Sequence, residues 1–508
     1  MNHNFKAPII KGTIILTIAG IFCRILGFYY RIFLNSHIGA YGMGMLQLIL
    51  PICGIAFSIC IYGFNSAISK YTAASSHSLL PLASGICISL PISILFSLIC
   101  YIFSDKIAAN IMLNTDCSEL IKIIVLGIPF SSLHACICGY YYGCKSAIIP
   151  AASQIIEQLV RILGIIAYYY IFLCNSNTPL TISLALYGNI FGELSAVVFC
   201  ALFLYIKKAG HLNNVLPFNM VTIRKIHLQS KKMISYAVPL NLNSLLMHLL
   251  ESGEAILIPA ELMLYGLSRE NAVSSYGIIA GMTLPLIMFP GAITNSLAVM
   301  LVPKISEDSS VLASGNIKST IQHTITLCMH LGIISSILFL LYISRLGAII
   351  FRQPDVYNYT ILLSVICPFI YLKTSLSSIL NGINKTAFTC AANISGLIIR
   401  IGFLILLVPR IGITGYIYGL IAGNILVCML NYIKLWLIYR FHINPVNNLI
   451  CPLSISLIAV TSAAILEKLA TYILPWISGI INYPLQLFIS LLTSCFIYLI
   501  ICYIYSFD

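Results

Sequence analysis

The chain consists largely of apolar runs, each as long as or longer than the ~20 residues that a helix needs to cross a bilayer. The runs fall at about 9–36, 43–69, 79–104, 118–143, 147–174, 180–206, 232–258, 272–303, 319–343, 356–381, 386–409, 414–439, 449–474 and 482–505. Of the 508 residues, 60% are hydrophobic and 8% are charged, which is more apolar surface than a soluble domain buries. We therefore predict an all-α polytopic membrane protein with about 14 transmembrane helices.

Two stretches of the chain share a skeleton of proline, glycine and arginine residues, which seldom match by chance in apolar sequence. Pro129, Gly143 and Arg161 recur, with the same spacings of 14 and 18 residues, as Pro368, Gly382 and Arg400. The pattern Tyr187-Gly188-x-x-x-Gly192 likewise recurs as Tyr418-Gly419-x-x-x-Gly423. A duplicated six-helix unit is typical of transporters whose site lies between two lobes. Because six helices return the chain to its starting side, we expect two parallel lobes.

The repeat divides the chain into four predicted regions. Residues 1–208 form the first lobe, 209–231 a basic cytoplasmic linker, 232–441 the second lobe, and 442–508 two additional helices. The stretch from Lys207 to Lys232 holds six basic residues and no acid, which favours an anchor beside anionic lipid. The two additional helices either pack against a lobe or form a groove for a lipid tail.

The basic residues punctuate the apolar runs, so the formal charge of +13 indicates membrane topology rather than nucleic-acid binding. Fifteen Lys and Arg residues fall in the predicted inner segments and seven in the outer ones, which places both termini in the cytoplasm of a plasma-membrane protein. The first run contains Arg24 and Arg31 and lacks a small-x-small exit, so we expect it to be an uncleaved helix.

Signatures of enzymes and cofactors are missing from the sequence. The 18 cysteines lie mostly inside apolar runs and form no C-x-x-C pattern, which favours small packing residues and predicts no metal site. There is no P-loop and no glycine-rich nucleotide loop. We expect a protein that is not an enzyme, has no cofactor, and draws energy from an ion gradient or the membrane potential.

Charges inside the spans carry the strongest single-residue signal, because each costs several kcal/mol in lipid. Arg24 and Arg31 lie seven residues apart and therefore two turns along one face of the first helix. One interpretation is a basic stripe that awaits an anionic ligand in a cavity. The alternative is pairing with Glu157 or Glu193 on another helix.

Three further positions bear on charge in the first lobe. Glu157 and Arg161 are four residues apart, and the repeat keeps the arginine but replaces the acid with Gly396, which favours a structural pair. Glu193 has no local partner, so it is either an ion or proton coupling site or the partner of an arginine on another helix.

The second lobe also offers polar candidates. His248, Glu251 and Glu254 lie on one predicted helix and suggest a cation or proton site, although ligands three residues apart without a third are weak support for a metal. Asn295 and Lys373 are polar candidates for the substrate-binding surface between the lobes.

The segments 11–20, 24–31 and 38–44 resemble the stage V sporulation protein B family, and 276–304 is similar to the same family. This is the polysaccharide-export branch of the flippase superfamily that includes the lipid II flippase and the multidrug-and-toxin-extrusion transporters. The resemblance implies a V-shaped fold of two six-helix lobes plus two extra helices, and alternating access. In the lipid II flippase, arginines of the first helix line the cavity. Arg24 matches that pattern, and Arg31 is displaced by about one residue.

Three functions follow from these observations. The first is a flippase for a lipid-linked peptidoglycan precursor or other polysaccharide intermediate, for the spore cortex or cell wall, with membrane lipids and cell-wall synthases as further partners. The second is a cation-coupled multidrug exporter of the same fold, which acids in the cavity would favour. The third is a non-transporting membrane scaffold for cell-wall synthesis, which has no need of unpaired arginines in a span.

Overall fold

The computed structural model describes residues 6–75, 78–173, 180–212, 220–310, 314–351, 353–473 and 483–505. Over these ranges the secondary structure is helical and no strand is present. The predicted all-α membrane class is therefore confirmed. Two compact units make up the chain, Met1–Gly277 and Ile278–Asp508.

The helices of the first unit are α1 (Lys6–Ala56), α2 (Tyr62–Ala74), α3 (Leu80–Ile102), α4 (Cys117–Val125), α5 (Ile128–Gly143), α6 (Ile148–Tyr168), α7 (Ile182–Leu212), α8 (Met220–Leu264) and α9 (Arg269–Tyr276). Those of the second unit are α10 (Leu284–Met288), α11 (Ala292–Ser310), α12 (Ser314–Ile350), α13 (Pro354–Ser364), α14 (Cys367–Gly382), α15 (Thr386–Ile411), α16 (Ile413–Tyr439), α17 (Cys451–Ile473) and α18 (Tyr483–Tyr505). A short helical segment spans Ser104–Lys106, and wider π turns lie at Phe57–Ile61, Ile107–Ile111, Tyr169–Leu173, Gly277–Thr283 and Val446–Ile450.

In the part of the chain that the structure describes, 11 helices are long and apolar enough to span a membrane, or 12 if one bent pair is a single span. One of them runs for 61 residues, Ile14–Ala74. At 1.5 Å per residue it measures about 90 Å, three times the thickness of a hydrocarbon core, so it holds more than one crossing. Gly39, with φ 65°, interrupts it in a conformation that glycine adopts without strain. The count of 14 spans stays a prediction.

Helix α8 packs within the first unit. The Ser58 and Ser244 hydroxyls lie 2.9 Å apart, and the Tyr71 hydroxyl donates to the Lys232 carbonyl at 3.3 Å. The unit boundary at Gly277 therefore differs from the lobe boundaries expected from the repeat, which stay predictions. Of the predicted linker, 213–219 lies outside the described residues, and the rest continues α7 or begins α8.

The repeated skeleton marks the same local structure in both units. Each unit has a broken helix, α4 with α5 and α13 with α14, and the second pair is bent by 59°. The proline after each break, Pro129 or Pro368, lies in the first turn of the following helix, where its missing N–H is tolerated. The helices α5 and α14 end alike, because Lys145 and Asn384 both adopt a positive φ, of 57° and 60°.

The glycine that closes each of these helices allows a close contact with a neighbouring helix. A Cβ on Gly143 would lie 2.6 Å from the Ser69 carbonyl oxygen of α2. A Cβ on Gly382 would lie 2.9 Å from the Ile305 Cβ of α11, and the Gly382 carbonyl accepts a hydrogen bond from Ser306 at 3.0 Å. Both glycines therefore permit equivalent helix packing in the two units.

Each unit has its own apolar core. In the first unit, buried Phe64, Ile68, Ile137, Tyr140 and Met233 form one cluster. In the second, buried Ile321, Leu376, Ile379, Leu380 and Leu435 form another.

The two C-terminal helices pack against α12. Ile333 and Ile337 of α12 share a buried cluster with Ala459 of α17 and Tyr498 of α18. The Tyr498 hydroxyl also lies 2.7 Å from His330 Nδ1. The lipid-tail groove that the sequence suggests for these helices stays a prediction.

We predict that Gly143→Ala destabilises the protein by about 1–3 kcal/mol, since the new methyl group would overlap a backbone oxygen that cannot move freely. Gly164→Ala is the matched control, because a Cβ at this helical glycine meets nothing within 4 Å. Thermal unfolding of the purified proteins in detergent measures both effects. Equal midpoints for the two variants would contradict the proposed close contact.

Candidate functional site

The helix that carries Arg161 and the helix that carries Gly188 and Gly192 are in close contact. A Cβ on Gly192 would lie 2.9 Å from the Glu157 carbonyl oxygen and 3.3 Å from the Arg161 Cβ. The second unit repeats this contact, where a Cβ on Gly423 would lie 2.6 Å from the Arg400 Cγ. The small residues thus fix α7 against α6, and α16 against α15, and so determine which polar side chains meet.

Arg161 is held by two partners on these helices. Its Nη2 lies 3.2 Å from Glu157 Oε1, and its Nη1 donates to Asn189 Oδ1 at 3.0 Å. The Arg161 and Glu157 side chains are about a fifth exposed, 20% and 19%. In the second unit Gly396 replaces the acid, and a Cβ there would lie 2.4 Å from Val427 Cγ2, so the space of the carboxylate is filled by closer helix packing.

Glu193 faces His134, a residue of α5. His134 Nδ1 lies 3.2 Å from Glu193 Oε2, and His134 Nε2 lies 2.9 Å from Ser153 Oγ. The Ser153 hydroxyl donates to the Pro150 carbonyl at 2.9 Å, which leaves its oxygen free to accept from Nε2–H. Both ring nitrogens then act as donors, and this pattern fits an imidazolium paired with the Glu193 carboxylate.

These residues form one compact polar cluster inside the first unit. One ligand atom each of His134, Glu157 and Glu193 lies within 4.8 Å of the others, and Arg161 adjoins Glu157. Two carboxylates at such a distance repel each other unless a cation or proton lies nearby. Arg161 and a protonated His134 balance the two carboxylates, whereas with a neutral His134 the cluster carries one net negative charge, which a small cation or a proton would balance.

The second unit has a polar pair at the equivalent positions. The repeat offset of 239 residues relates His134 to Lys373, and the offset of 231 residues in the Tyr-Gly stretch relates Glu193 to Asn424. Lys373 Nζ donates to Asn424 Oδ1 at 2.8 Å. The fold thus brings a cation and an acceptor together in both units, but the second pair contains an amide where the first contains a carboxylate.

Arg24 is exposed on α1. Within the described ranges its side chain has no ion pair or hydrogen bond, and the two acids expected as alternatives have nearer partners, Arg161 for Glu157 and His134 for Glu193. Arg31 is half-buried and lies close enough to Arg161 for the two guanidinium groups to repel each other. The two arginines of the helix thus occupy different environments.

The acids of α8 divide into an exposed and a buried one. Glu251 is exposed and pairs with His248, with Oε2 and Nδ1 3.1 Å apart, whereas Glu254 is 3% exposed. A Cβ on Gly54 would lie 3.0 Å from His248 Nδ1, so this pair adjoins α1.

Asn241, nearer the start of α8, hydrogen-bonds to backbone groups in the π turn Phe57–Ile61 and in the first turn of α2. Its Oδ1 accepts from Gly63 N at 2.7 Å, and its Nδ2 donates to the Ile59 carbonyl at 3.1 Å. Asn241 is therefore a structural residue at a helix irregularity.

Asn295 of α11 is half-buried, and its backbone N–H donates to the Gly291 carbonyl at 2.9 Å. Lys373, the other polar candidate, lies on α14, where its Nζ donates to Asn424 Oδ1. The substrate-binding role expected for the two residues stays a prediction.

His134, Ser153, Asn189 and Asn424 were not expected from the sequence. A signal for His134 was present, because applying the repeat offset to Lys373 leads directly to it. Asn189 directly follows Gly188, and Asn424 directly follows Gly423. Their roles depend on contacts between helices, which spacing along one helix does not reveal.

The sequence matches a family described as polysaccharide biosynthesis protein over residues 9–307. It is 26% identical over 456 residues to stage V sporulation protein B of Bacillus subtilis strain 168, covering 84% of this chain and 83% of that protein. It is 24% identical over 474 residues to the lipid II flippase MurJ of the same organism, covering 83% of each.

Among solved structures, a lipid II flippase MurJ in an inward closed conformation has a TM-score of 0.70 at 14% identity, covering 97% of this chain and 99% of that one. An inward-facing multidrug resistance MATE family transporter has a TM-score of 0.61 at 14% identity, covering 84% and 98%. The fold is thus that of these multi-pass membrane proteins. Relatives with a named activity are flippases and transporters rather than enzymes.

We predict that Arg161→Met lowers the stability and membrane level of the protein, because it leaves the half-buried Glu157 carboxylate without its ion pair. Breaking a fully buried pair costs about 3–5 kcal/mol, and the partial exposure here reduces that value. Adding Glu157→Gln to Arg161→Met should restore much of the loss.

Arg24→Met is the matched control, since it removes an arginine of the same unit that holds no acid. Membrane abundance and thermal unfolding measure all three variants. An Arg161→Met protein as stable as the Arg24→Met protein would show that the Glu157–Arg161 pair is not structural.

Proposed function

Because the chain belongs to the polysaccharide biosynthesis protein family, we propose that it is a flippase that moves a lipid-linked glycan precursor across the plasma membrane. The substrate proposed is a polyprenyl-pyrophosphate-linked peptidoglycan precursor, moved outward for the spore cortex or cell wall. The relatives named as a stage V sporulation protein and a lipid II flippase support this choice. We propose further that the protein works by alternating access and does not hydrolyse a nucleotide.

The observation that carries the proposal is the exposed Arg24, without an ionic partner among the described residues, inside the membrane-spanning helix Ile14–Ala74. An arginine in a span is costly unless it faces water, a partner or a ligand. A pyrophosphate supplies about two negative charges, and a guanidinium offers it two parallel donors without losing its own proton. Arg24 is therefore suited to receive the headgroup of a lipid-linked precursor.

We predict that Arg24→Ala abolishes transport in proteoliposomes, measured with a fluorescent polyprenyl-pyrophosphate-linked glycan. Arg24→Lys should restore transport in part, because lysine keeps the charge but loses the bidentate geometry. Membrane level should stay near normal in both variants, since no acid is left without its partner.

Arg224→Ala is the control for loss of an exposed arginine at a position in the predicted basic linker. It should transport at the wild-type rate. Normal transport by a well-expressed Arg24→Ala protein would refute the headgroup role.

The energy source proposed is a cation gradient acting through Glu193. A carboxylate within a span can carry a cation or proton across the membrane field, and moving one charge through 100 mV is worth about 2.3 kcal/mol. The polar cluster of His134, Glu157, Arg161 and Glu193 supplies the surroundings that such a group needs. Glu254, the buried acid of α8, is a further candidate for the same role.

We predict that Glu193→Gln removes the stimulation of transport by an imposed sodium or proton gradient, because the amide carries no charge. Glu251→Gln, which removes an exposed acid with its own histidine partner, should keep the stimulation. Proteoliposomes with each gradient imposed separately provide the measurement. Wild-type stimulation in the Glu193→Gln protein would exclude Glu193 as the coupling group.

The acidic cluster also favours a second candidate function, the export of amphipathic cations. Paired carboxylates bind organic cations as well as inorganic ones. A multidrug resistance transporter has a similar fold. An exporter should extrude cationic dyes and leave a lipid-linked pyrophosphate untransported.

A further inference from the structure

A second set of potential ligands surrounds His134 on its other side. Cys138 lies one turn along α5 from His134, and Cys200 approaches from α7. One ligand atom of each residue lies within 4.8 Å of the other two, the two cysteines are buried, and the His134 side chain is 11% exposed. From this geometry we propose that His134, Cys138 and Cys200 bind a thiophilic divalent metal ion, with Zn²⁺ as the physiological example.

The separations are close to those of a zinc site. Zinc bonds of about 2.3 Å to sulfur and about 2.0–2.1 Å to nitrogen imply ligand-to-ligand distances of roughly 3.3–3.8 Å in a tetrahedron. The three side chains therefore need to close by about 1 Å, which side-chain rotation supplies. Ser153 Oγ lies 2.9 Å from His134 Nε2 and 3.8 Å from Cys138 Sγ, so it is placed to contribute or to orient the fourth ligand.

The histidine has the support that metal-binding histidines usually have. A carboxylate or carbonyl on the far ring nitrogen fixes the tautomer and strengthens the nitrogen that faces the metal. Glu193 Oε2, 3.2 Å from His134 Nδ1, provides this contact. Nε2, on the side of Ser153, is then the nitrogen that faces the ion.

Charge balance favours a divalent ion. Zinc binds cysteine as the thiolate and histidine as the neutral imidazole, so the two thiol protons and the Nε2 proton of an imidazolium His134 leave when the ion enters. Two thiolates and Zn²⁺ sum to zero, and the Glu193 carboxylate, which stays hydrogen-bonded to His134 Nδ1–H, is then the one net charge of the group. A monovalent ion such as Cu⁺ would leave a second negative charge there.

The second unit provides an internal comparison. The same repeat offsets relate Cys138 to Ser377 and Cys200 to Asn431. Asn431 Nδ2 donates to Ser377 Oγ at 2.8 Å, so the fold brings these two positions together in both units. Lys373, Ser377 and Asn431 do not form a metal-binding set, whereas His134, Cys138 and Cys200 do. The close approach is a property of the repeat, and the soft ligands are specific to the first unit.

The test is zinc binding by the purified full-length protein in lipid nanodiscs. We expect one tightly bound Zn²⁺ per chain and an X-ray absorption spectrum that shows two sulfur ligands at about 2.3 Å. A first shell of oxygen and nitrogen alone, or no stoichiometric binding, would overturn the proposal. This measurement uses the wild-type protein, so it does not depend on the folding of any variant.

Variants then assign the site to its residues. Cys138→Ser with Cys200→Asn introduces the pair that the second unit already accommodates, and it should eliminate the zinc–sulfur signal. Cys136→Ser, which changes another buried cysteine of α5, should keep it. Glu193→Gln should weaken binding by about 10–100-fold, through loss of the contact to Nδ1. Unchanged sulfur ligation in the double variant would exclude these two cysteines.

Binding is measured without any transport assay, so a failure of the flippase proposal and a failure of the metal proposal give different results. A protein that binds zinc through two sulfurs but moves no lipid-linked substrate would support the metal site and contradict the flippase proposal.

Discussion

A lipid bilayer offers no water to buried polar groups, so each such group in a span has to find its partner on another helix. In this protein, the contact between an arginine-bearing helix and a Gly-x-x-x-Gly helix brings such polar partners together. Gly192 lies against the backbone of Glu157, and Gly423 against that of Gly396. A larger residue at either glycine would separate the helices and the polar partners between them. The ion pairs of the candidate site depend on this packing.

The two repeats keep the packing and differ in their chemistry. Where the first has a histidine and a carboxylate, His134 and Glu193, the second has Lys373 bonded to the Asn424 amide. The first pair changes its charge when it gains or loses a proton or cation, while in the second pair the acceptor is a neutral amide, which does not bind a proton in this way. We therefore assign energy coupling and metal binding to the first repeat, and a structural or anion-attracting role to the pair in the second.

Much of the helix packing could be predicted from the sequence, because proline, glycine and arginine spacings in apolar sequence are rarely coincidental. The broken helices before Pro129 and Pro368 and the glycine contacts follow from those spacings. The break expected between the runs that end at 36 and begin at 43 coincides with Gly39, where the backbone leaves the helical conformation, while the count of 14 spans stays a prediction.

The polar partners were less accessible to sequence reasoning. Glu193 has no partner along its own helix, and the histidine that faces it lies on α5, far away in the chain. Cys138 and Cys200 lie on different helices, so no spacing along the sequence indicated that they meet, and both were interpreted as packing residues. Helix α8 belongs to the first compact unit, and the lobe boundaries expected from the repeat and the basic stretch stay predictions.

The central claim is that the protein moves a lipid-linked precursor across the membrane. The most direct test is to deplete the protein conditionally in its own cells and to measure the lipid-linked glycan precursors on each leaflet. If the chain is the proposed flippase, depletion should make lipid-linked glycan precursors accumulate on the inner leaflet, and re-expression of the wild-type protein should clear them. Unchanged precursor pools together with reduced efflux of cationic dyes would contradict the account and favour a drug exporter.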